Sequence, residues 1–535
     1  MRKKDKKIIN IKVILSISLF LVLTFMSVGY ASLKQSLYVS SVATITTPEY
    51  SIEVQSVSVS ATNQGSYQSS NPSYNGSEVA LYSTLPNVNS SIIYTVSIKN
   101  KGLTSGVLDY TFSNLDNNNV QYKIGGISNG KVLAPMESVN VTIELSYWDN
   151  VTSVSSANVS SLFNFEFIPY NSSYSNNCTL SWNGSTTAQP AVRSIYGVNY
   201  YEISNANEFA WYANYINNTS NSANAILTND ICLNSKPLQQ IGTNNFTGIL
   251  DGQNRNISGY YHSNNISIEK GTTTTYAGLF KQNSGIIKNL NLKGSINEIT
   301  YAKPSSGVSS NTPKIYEHVG AISSINDGKI INSSFTGSIS GTFESVTNCY
   351  AINPVQRNYV AGIVANNTGI VSGCINKGTF NLKVTGSPSA CTYKREARVN
   401  VGGVVAVNSG YVTDSYNNSN LSVSADMNRC EYYLWYGGII GDMESGKIIN
   451  SYNSGTLTHN DSTKNATKHY YTGGAVGESA GTISNTYYLN TCGFSGSNGT
   501  SVSSNDLSNL NISIGNYYTK DTGSINGGYP ILKWQ

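Results

Sequence analysis

The chain is 535 residues long, 39% hydrophobic and only 12% charged, with 47 glycines and 38 tyrosines. It is too apolar for a disordered chain and too long for one ordinary domain. Of its 33 basic and 29 acidic residues, residues 1–31 hold six Lys/Arg and one Asp, which leaves 27 against 28. That near-neutral remainder carries no electrostatic footprint for nucleic acid.

Residues 1–31 read as an export signal. MRKKDKK is a basic start, and Val13–Val28 is an apolar run of 16 residues, shorter than the roughly 20 of a spanning helix. Gly29-Tyr30-Ala31 places small residues at −3 and −1. Signal peptidase is therefore expected to cut between Ala31 and Ser32, after the segment has inserted in the membrane. The stretch GYASLKQSLYVSSVATI resembles the SipW-dependent signal-peptide class of Gram-positive bacteria, with Ser41 at a position where that class carries Gly. The resemblance implies a secreted or cell-surface protein with a TasA-like or camelysin-like N-terminal region.

Residues 32–170 alternate with period two. Ile92, Tyr94, Val96 and Ile98 share one face, as do Leu108, Tyr110 and Phe112, Val139 to Tyr147, and Phe163, Phe165 and Phe167. Strict alternation with Asn/Gly/Pro turns predicts antiparallel sheets buried on one side, an immunoglobulin-like β-sandwich. Residues 171–197 are Asn/Ser/Thr-rich and read as a linker. Next, Asn205 and Glu208 form a capping-box pair ahead of Phe209, Tyr212, Ala213 and Ile216. This predicts a helix over about 204–217 whose apolar face covers the open end of a repeat region.

Residues 198–494 are built on a recurring phrase, typified by VAGIVANNTGIVSGCIN and VGGVVAVNSGYVTDSYN. Its leading glycines are Gly278, Gly320, Gly362, Gly403, Gly438 and Gly474. A second glycine comes at 285, 328, 369, 410, 446 and 481. Four residues later stands Asn289, Asn332, Gly373, Asp414, Asn450 or Asn485. Short runs rich in Ile, Val and Tyr between glycine turns predict strands. One coil per copy gives a right-handed parallel β-helix. The aligned Asn and Asp positions predict an amide ladder along the stack. Ile363, Val404 and Ile439 belong inside it. Segments 263–275, 300–315, 383–399 and 459–470 read as polar insertions projecting from the coils. Residues 495–535 read as a C-terminal cap, with Tyr529, Ile531, Leu532 and Trp534 over the last coil. The fold class is thus all-β, a sandwich followed by a capped solenoid.

The phrase resembles the GLUG-motif repeat of bacterial surface proteins. That resemblance covers about 270–490 and implies an adhesin-like protein without enzymatic activity.

Seven cysteines are too few for a disulfide framework, and Cys349, Cys391 and Cys430 fall in insertions. No C-x-x-C occurs and the four histidines are scattered, so neither a metal nor a cofactor is predicted. A polysaccharide-cleaving β-helix would need paired carboxylates. Only Asp414 holds an aligned inner position, while Asp327, Glu344, Asp442, Glu444 and Glu478 fall mostly in turns or insertions. The expected function is an exported, non-catalytic surface or matrix protein that binds a glycan or a surface protein through its insertions. One alternative is a self-assembling biofilm-matrix or fibre subunit, its partner being itself. The other is a β-helix polysaccharide lyase or glycoside hydrolase.

Overall fold

The computed structural model describes residues 51–535, apart from 88–89, 103–104, 116–119, 128–130, 148–155, 170–181, 196, 303–312, 346–354, 387–395, 428–430, 465, 511–513 and 515–516. The expected signal, its cleavage point at Ala31 and Ser32, and Cys349, Cys391 and Cys430 lie outside the described residues. Among the described residues no helix is long and apolar enough to cross a membrane.

The first domain is a sandwich of two antiparallel sheets. One runs Ile52–Asn63, Ser91–Asn100, Ser138–Tyr147, Val120–Gly125. The other runs Tyr67–Gln68, Glu78–Leu85, Ala157–Pro169, Gly106–Leu115, Val132–Leu133, with Ser73–Asn75 beside Glu78–Leu85. Alternation places Ile92, Tyr94, Val96 and Ile98 in its core with Val141, Ile143, Leu145, Phe163 and Phe165. Every second side chain is inside because each sheet has one wet face.

The segment read as a linker is partly structured. Ala191–Ile195 pairs antiparallel with Val198–Ile203, and Trp182 is buried in the core of the second domain. Cys232 is disulfide-bonded. Helix α1, Ala206–Asn218, begins where the capping box predicts. Asn205 Oδ1 accepts from the Glu208 amide at 3.1 Å, and Glu208 Oε2 accepts from the Ser204 amide at 2.7 Å. Phe209, Tyr212, Ala213 and Ile216 are buried in the solenoid core.

Beyond the helix the chain winds into a parallel β-helix, six of whose coils carry the repeat phrase. A six-stranded sheet stacks Thr272–Ala277, Lys314–Gly320, Val355–Ala361, Glu396–Gly402, Glu431–Gly437 and Thr467–Gly473, one strand per coil. A second stacks Phe280–Asn283, Ser323–Asn326, Val364–Asn367, Val405–Asn408, Ile440–Met443 and Val476–Ser479. A third, larger sheet takes the rest of each coil. Ile363, Val404 and Ile439 are fully buried. The described flanks of the predicted insertions are strands rather than loops. Asn291–Ala302 pairs in register with Ser334–Ser345 along its whole length. These long strands face the return strands of the six-stranded sheet, so each coil carries an arm of paired sheets. Inward residues such as Leu382, Val384, Val399 and Val401 fill it.

The C-terminal segment does more than cap. Thr500–Val502 pairs with Thr482–Leu489, and Leu507 of helix α2, Ser504–Leu510, enters the core at the last coil. The final residues instead run back along the solenoid flank. Tyr518 OH donates to Asn450 O at 2.9 Å, Tyr416 OH to Gln535 Oε1 at 2.9 Å and Trp534 Nε1 to Gly373 O at 3.0 Å. There the segment meets the sandwich. Lys123 Nζ donates to Tyr517 O at 3.2 Å and Ser146 Oγ lies 3.0 Å from Tyr517 OH. Lys288 of the first coil bonds Tyr122 OH and pairs with Asp251 at 3.1 Å. The sandwich is docked on the solenoid flank.

Candidate functional site

The repeat glycines are close-approach positions. Among the six leading glycines only Gly278 has a left-handed φ, +150°. A Cβ on Gly362 would lie 2.3 Å from Asn376 Oδ1, on Gly438 2.3 Å from Asn453 Cγ, and on Gly474 2.0 Å from Tyr488 Cδ2. On Gly320 it would lie 2.1 Å from Ser323 O. The second glycines stack on one another: a Cβ on Gly369 would lie 2.1 Å from Gly328 O, and on Gly410 2.2 Å from Gly369 O.

The predicted Asn column is a set of corners. Asn289, Asn332, Asp414, Asn450 and Asn485 all have φ between 43° and 54°, and Gly373 has φ 63°. Asn and Asp tolerate this region better than other residues with a Cβ, and Gly best of all. Side-chain bonds join only parts of the column: Asn289 to Asp251 at 2.9 Å, Asn450 to Asp414 at 3.3 Å and Asn485 to Asn450 at 3.2 Å. The continuous amide ladders stand elsewhere. Asn283, Asn326, Asn367 and Asn408 donate one to the next, each Nδ2 to Oδ1 at 2.7 Å, and all are fully buried. Asn376, Asn417 and Asn453 form a second ladder at 2.7 and 2.8 Å. The sequence carries a signal for the first: Asn stands two residues before the second glycine in the first four copies.

Asp414 has a distinct setting. Burial pushes its carboxyl up to about 6, while the Thr413 hydroxyl and the Lys123 ammonium favour its charge. Burial likewise lowers Lys123 of the sandwich to about 7, and Asp414 and Glu144 act against that. Asp414 therefore belongs to the joint between the domains.

The most chemically varied surface is the outward face of the six-stranded sheet that begins at Thr272–Ala277. Parallel register aligns Tyr276, His318, Tyr359, Asn400, Trp435 and Tyr471 in one column. Beside it run Thr274, Tyr316, Arg357, Arg398, Tyr433 and His469. Rings stack along the columns: His318 on Tyr359 at 4.8 Å, Trp435 on Tyr471 at 5.1 Å and Tyr433 on His469 at 4.3 Å between centroids. Arg398 lies over Tyr433 at 5.0 Å and Arg357 over Tyr316 at 5.5 Å, and both pair with Glu396. The rings cover one another's faces, and Tyr359, Tyr433, Trp435, His469 and Tyr471 stay half-buried, while Asn400 is buried and His318 Nδ1 is sealed. Six strands at about 4.8 Å make this strip roughly 24 Å long. The adjacent Tyr432 and Tyr433 divide across the sheet here: Tyr432 is buried and Tyr433 half-buried.

Acids border the strip. Asp442 and Glu478 lie on strands, in register on neighbouring coils, rather than in turns. Trp435 Nε1 donates to Glu478 Oε2 at 2.5 Å and Asn400 Nδ2 to Asp442 Oδ2 at 3.3 Å. Burial first, then Glu444 and Glu478, raises the Asp442 carboxyl to about 7. A second acid pair, Glu298 and Glu317, is buried inside the arm of the first two coils. Glu298 and Glu317 correct the expectation that Asp414 is the only acid in an inner position, whereas Asp442 is half-buried and Glu478 exposed. Among the described residues no three His, Cys, Asp or Glu side chains cluster so as to hold a metal ion. Cys374 and Cys492 are free and buried, and burial pushes the Cys374 thiol up to about 12.

No known protein family matches the chain, and no curated protein matches it. A solved structure, the catalytic domain of a GH87 alpha-1,3-glucanase variant in complex with tetrasaccharides, aligns with 78% of this chain and 98% of its own. It does so at 11% identity and a TM-score of 0.13, too low to bear on fold or function.

Proposed function

We propose that this is an exported, non-catalytic surface or matrix protein that binds an extended glycan along the aromatic strip of its β-helix. The observation that carries the reading is the pair of outward columns running through Tyr359, Trp435 and Tyr471 and through Arg357, Arg398 and Tyr433. Tyr, Trp and Arg supply contact area and hydrogen bonds at little conformational cost once stacking and ion pairs have fixed them. A repeat of about 4.8 Å per coil suits a partner that is itself linear and repetitive. Export rests on the resemblance of residues 1–31 to a secretory signal, and membership of the GLUG-repeat proteins rests on the six-copy phrase. The test is retention of the purified chain by immobilised polysaccharides, compared with Tyr433→Ala/Tyr471→Ala.

One observation favours a hydrolytic reading. Asp442 and Glu478 are carboxyls on adjacent coils, the first biased toward its protonated form and the second held by an indole N–H. An acid and a carboxylate are the two roles that glycoside hydrolysis needs. Release of reducing ends from a polysaccharide, abolished by both Asp442→Asn and Glu478→Gln, would establish it.

A further inference from the structure

The arm formed by the first coils encloses an oxygen cluster that the binding strip does not use. Glu298 is 1% exposed and Glu317 fully buried. They project from facing strands, Asn291–Ala302 and Lys314–Gly320, and meet side chain to side chain. One oxygen of each is held. Glu298 Oε2 accepts from Asn264 Nδ2 at 3.2 Å, and Glu317 Oε2 accepts from Thr300 Oγ1 at 3.3 Å. Gln356 in turn donates to Thr300 Oγ1 at 2.6 Å. The other two oxygens, Glu298 Oε1 and Glu317 Oε1, have no donor besides the carboxyl–carboxyl contact itself and, for the former, His262 Nε2 at 3.2 Å.

Two further buried oxygens belong to residues beside Glu317. Parallel register places Thr275 and Asn358 on either side of Glu317 on the inward face of one sheet. Thr275 is 6% exposed and Asn358 fully buried, and neither Thr275 Oγ1 nor Asn358 Oδ1 has a partner. Buried oxygens seldom go unpaired, because desolvation without a bond is costly. Two carboxyls sealed together are costlier still unless a proton or a cation stands between them. One proton would satisfy one carboxyl pair but not the flanking hydroxyl and amide oxygens.

We infer that Glu298, Glu317, Thr275 and Asn358 form a site for a hard divalent cation, calcium by choice of donors, inside the first arm. Two carboxylates balance its charge, and a neutral hydroxyl and an amide carbonyl add oxygens of the kind calcium takes. The all-oxygen set disfavours zinc and copper, which prefer nitrogen or sulfur. Such an ion would tie together strands from three successive coils, through Thr275, Glu317 and Asn358, and fix the base of the aromatic strip.

The test uses the purified chain after chelator treatment, titrated with Ca2+ by calorimetry and followed by thermal unfolding. One Ca2+ should bind per chain and raise the melting temperature by at least about 2 °C. Thr275→Val keeps shape and charge and should weaken binding about tenfold, while Glu317→Gln should abolish it. Asp327→Asn, at an exposed bend of the solenoid, should leave uptake unchanged. If Glu317→Gln does not fold, the Thr275→Val titration decides. No calcium uptake, with melting indifferent to chelator, would mean that the pair holds only a proton and overturns the inference. So would a stoichiometric site that survives both substitutions at full affinity.

Discussion

Gly403 and Asn417 share one corner of the fourth coil, where a Cβ on the glycine would lie 2.6 Å from Asn417 Cγ and 2.2 Å from Gly438 O. The absent side chain leaves room for the amide ladder, in which Asn417 accepts from Asn376 and donates to Asn453. Gly362 stands in the same relation to Asn376, and Gly438 to Asn453. The repeat glycine and the Asn fourteen or fifteen residues later are thus one device.

Gly403→Ala should therefore destabilise the chain by about 1–3 kcal/mol, since neither backbone nor ladder can yield cheaply. Gly523→Ala, whose Cβ would meet only Ile525 at 3.5 Å, should change little. Thermal unfolding of the two variants side by side checks this. Equal melting temperatures would remove the steric reason for the repeat glycine.

Asn367→Ala should cost more than Asn283→Ala. Asn367 sits mid-ladder, so its loss leaves Asn408 Oδ1 without its donor and Asn326 Nδ2 with only its longer bonds to Gly328 O at 3.3 Å and Ile370 O at 3.4 Å. One unsatisfied buried acceptor and one weakened donor amount to roughly 1–3 kcal/mol. Asn283 has a ladder neighbour on one side, and its removal should cost about half. Denaturant midpoints at constant slope give the comparison.

The solenoid is legible in the sequence because its signals are local. Glycine turns, apolar pairs and the capping box at Asn205 and Glu208 repeat or stand within a few residues of one another, and the structure obeys them. The amide ladders stand apart from the column that the aligned Asn positions predict. Asn289 and its equivalents occupy left-handed corners, a backbone demand that selects Asn as readily as an amide stack does. The buried acids have a quiet signal: Glu298 and Glu317 fall on the same parity as Ile296 and Ile315, where a core residue is due. Asp442 and Glu478 each lie four residues after a repeat glycine, which puts them in register. The C-terminal path along the flank and the docking of the sandwich have no local signal. They depend on Trp534 finding Gly373 and Tyr517 finding Lys123, pairs 161 and 394 residues apart.

Asp414→Asn tests that docking. Asn keeps the corner, as in four other copies, and can still accept from Asn450. The substitution removes an anion acting on Lys123, leaving Glu144 as the remaining acid. A double-mutant cycle with Lys123→Met at pH 6.5, between the folded values of about 6 for Asp414 and about 7 for Lys123, should give a coupling of about 0.5–3 kcal/mol. Additive effects would separate Asp414 from the joint.

Asp442→Asn should stabilise the chain at pH 8 and not at pH 4. The folded carboxyl titrates at about 7, against an ordinary value of 3.8. The folded state therefore binds more protons between those values, and stability falls as pH rises through that window. The cost is complete above the folded pKa and absent below the unfolded one, so replacing the carboxyl gains only on the alkaline side. Melting temperatures of both proteins from pH 4 to pH 9 decide it, and a parallel offset at every pH would contradict it.

The measurement that bears most directly on function is polysaccharide retention by affinity electrophoresis, run on the purified chain and on Tyr433→Ala/Tyr471→Ala. The variant must first show unchanged circular dichroism and melting. The strip as a glycan-binding surface predicts that at least one extended polysaccharide retards the parent chain. The variant should lose about tenfold in affinity, consistent with two removed aromatic contacts of about 0.5–1.5 kcal/mol each. Binding should vary little with salt, because Arg357 and Arg398 already share Glu396. Undiminished retention of the folded variant, or a parent chain that no polysaccharide retards, would contradict it.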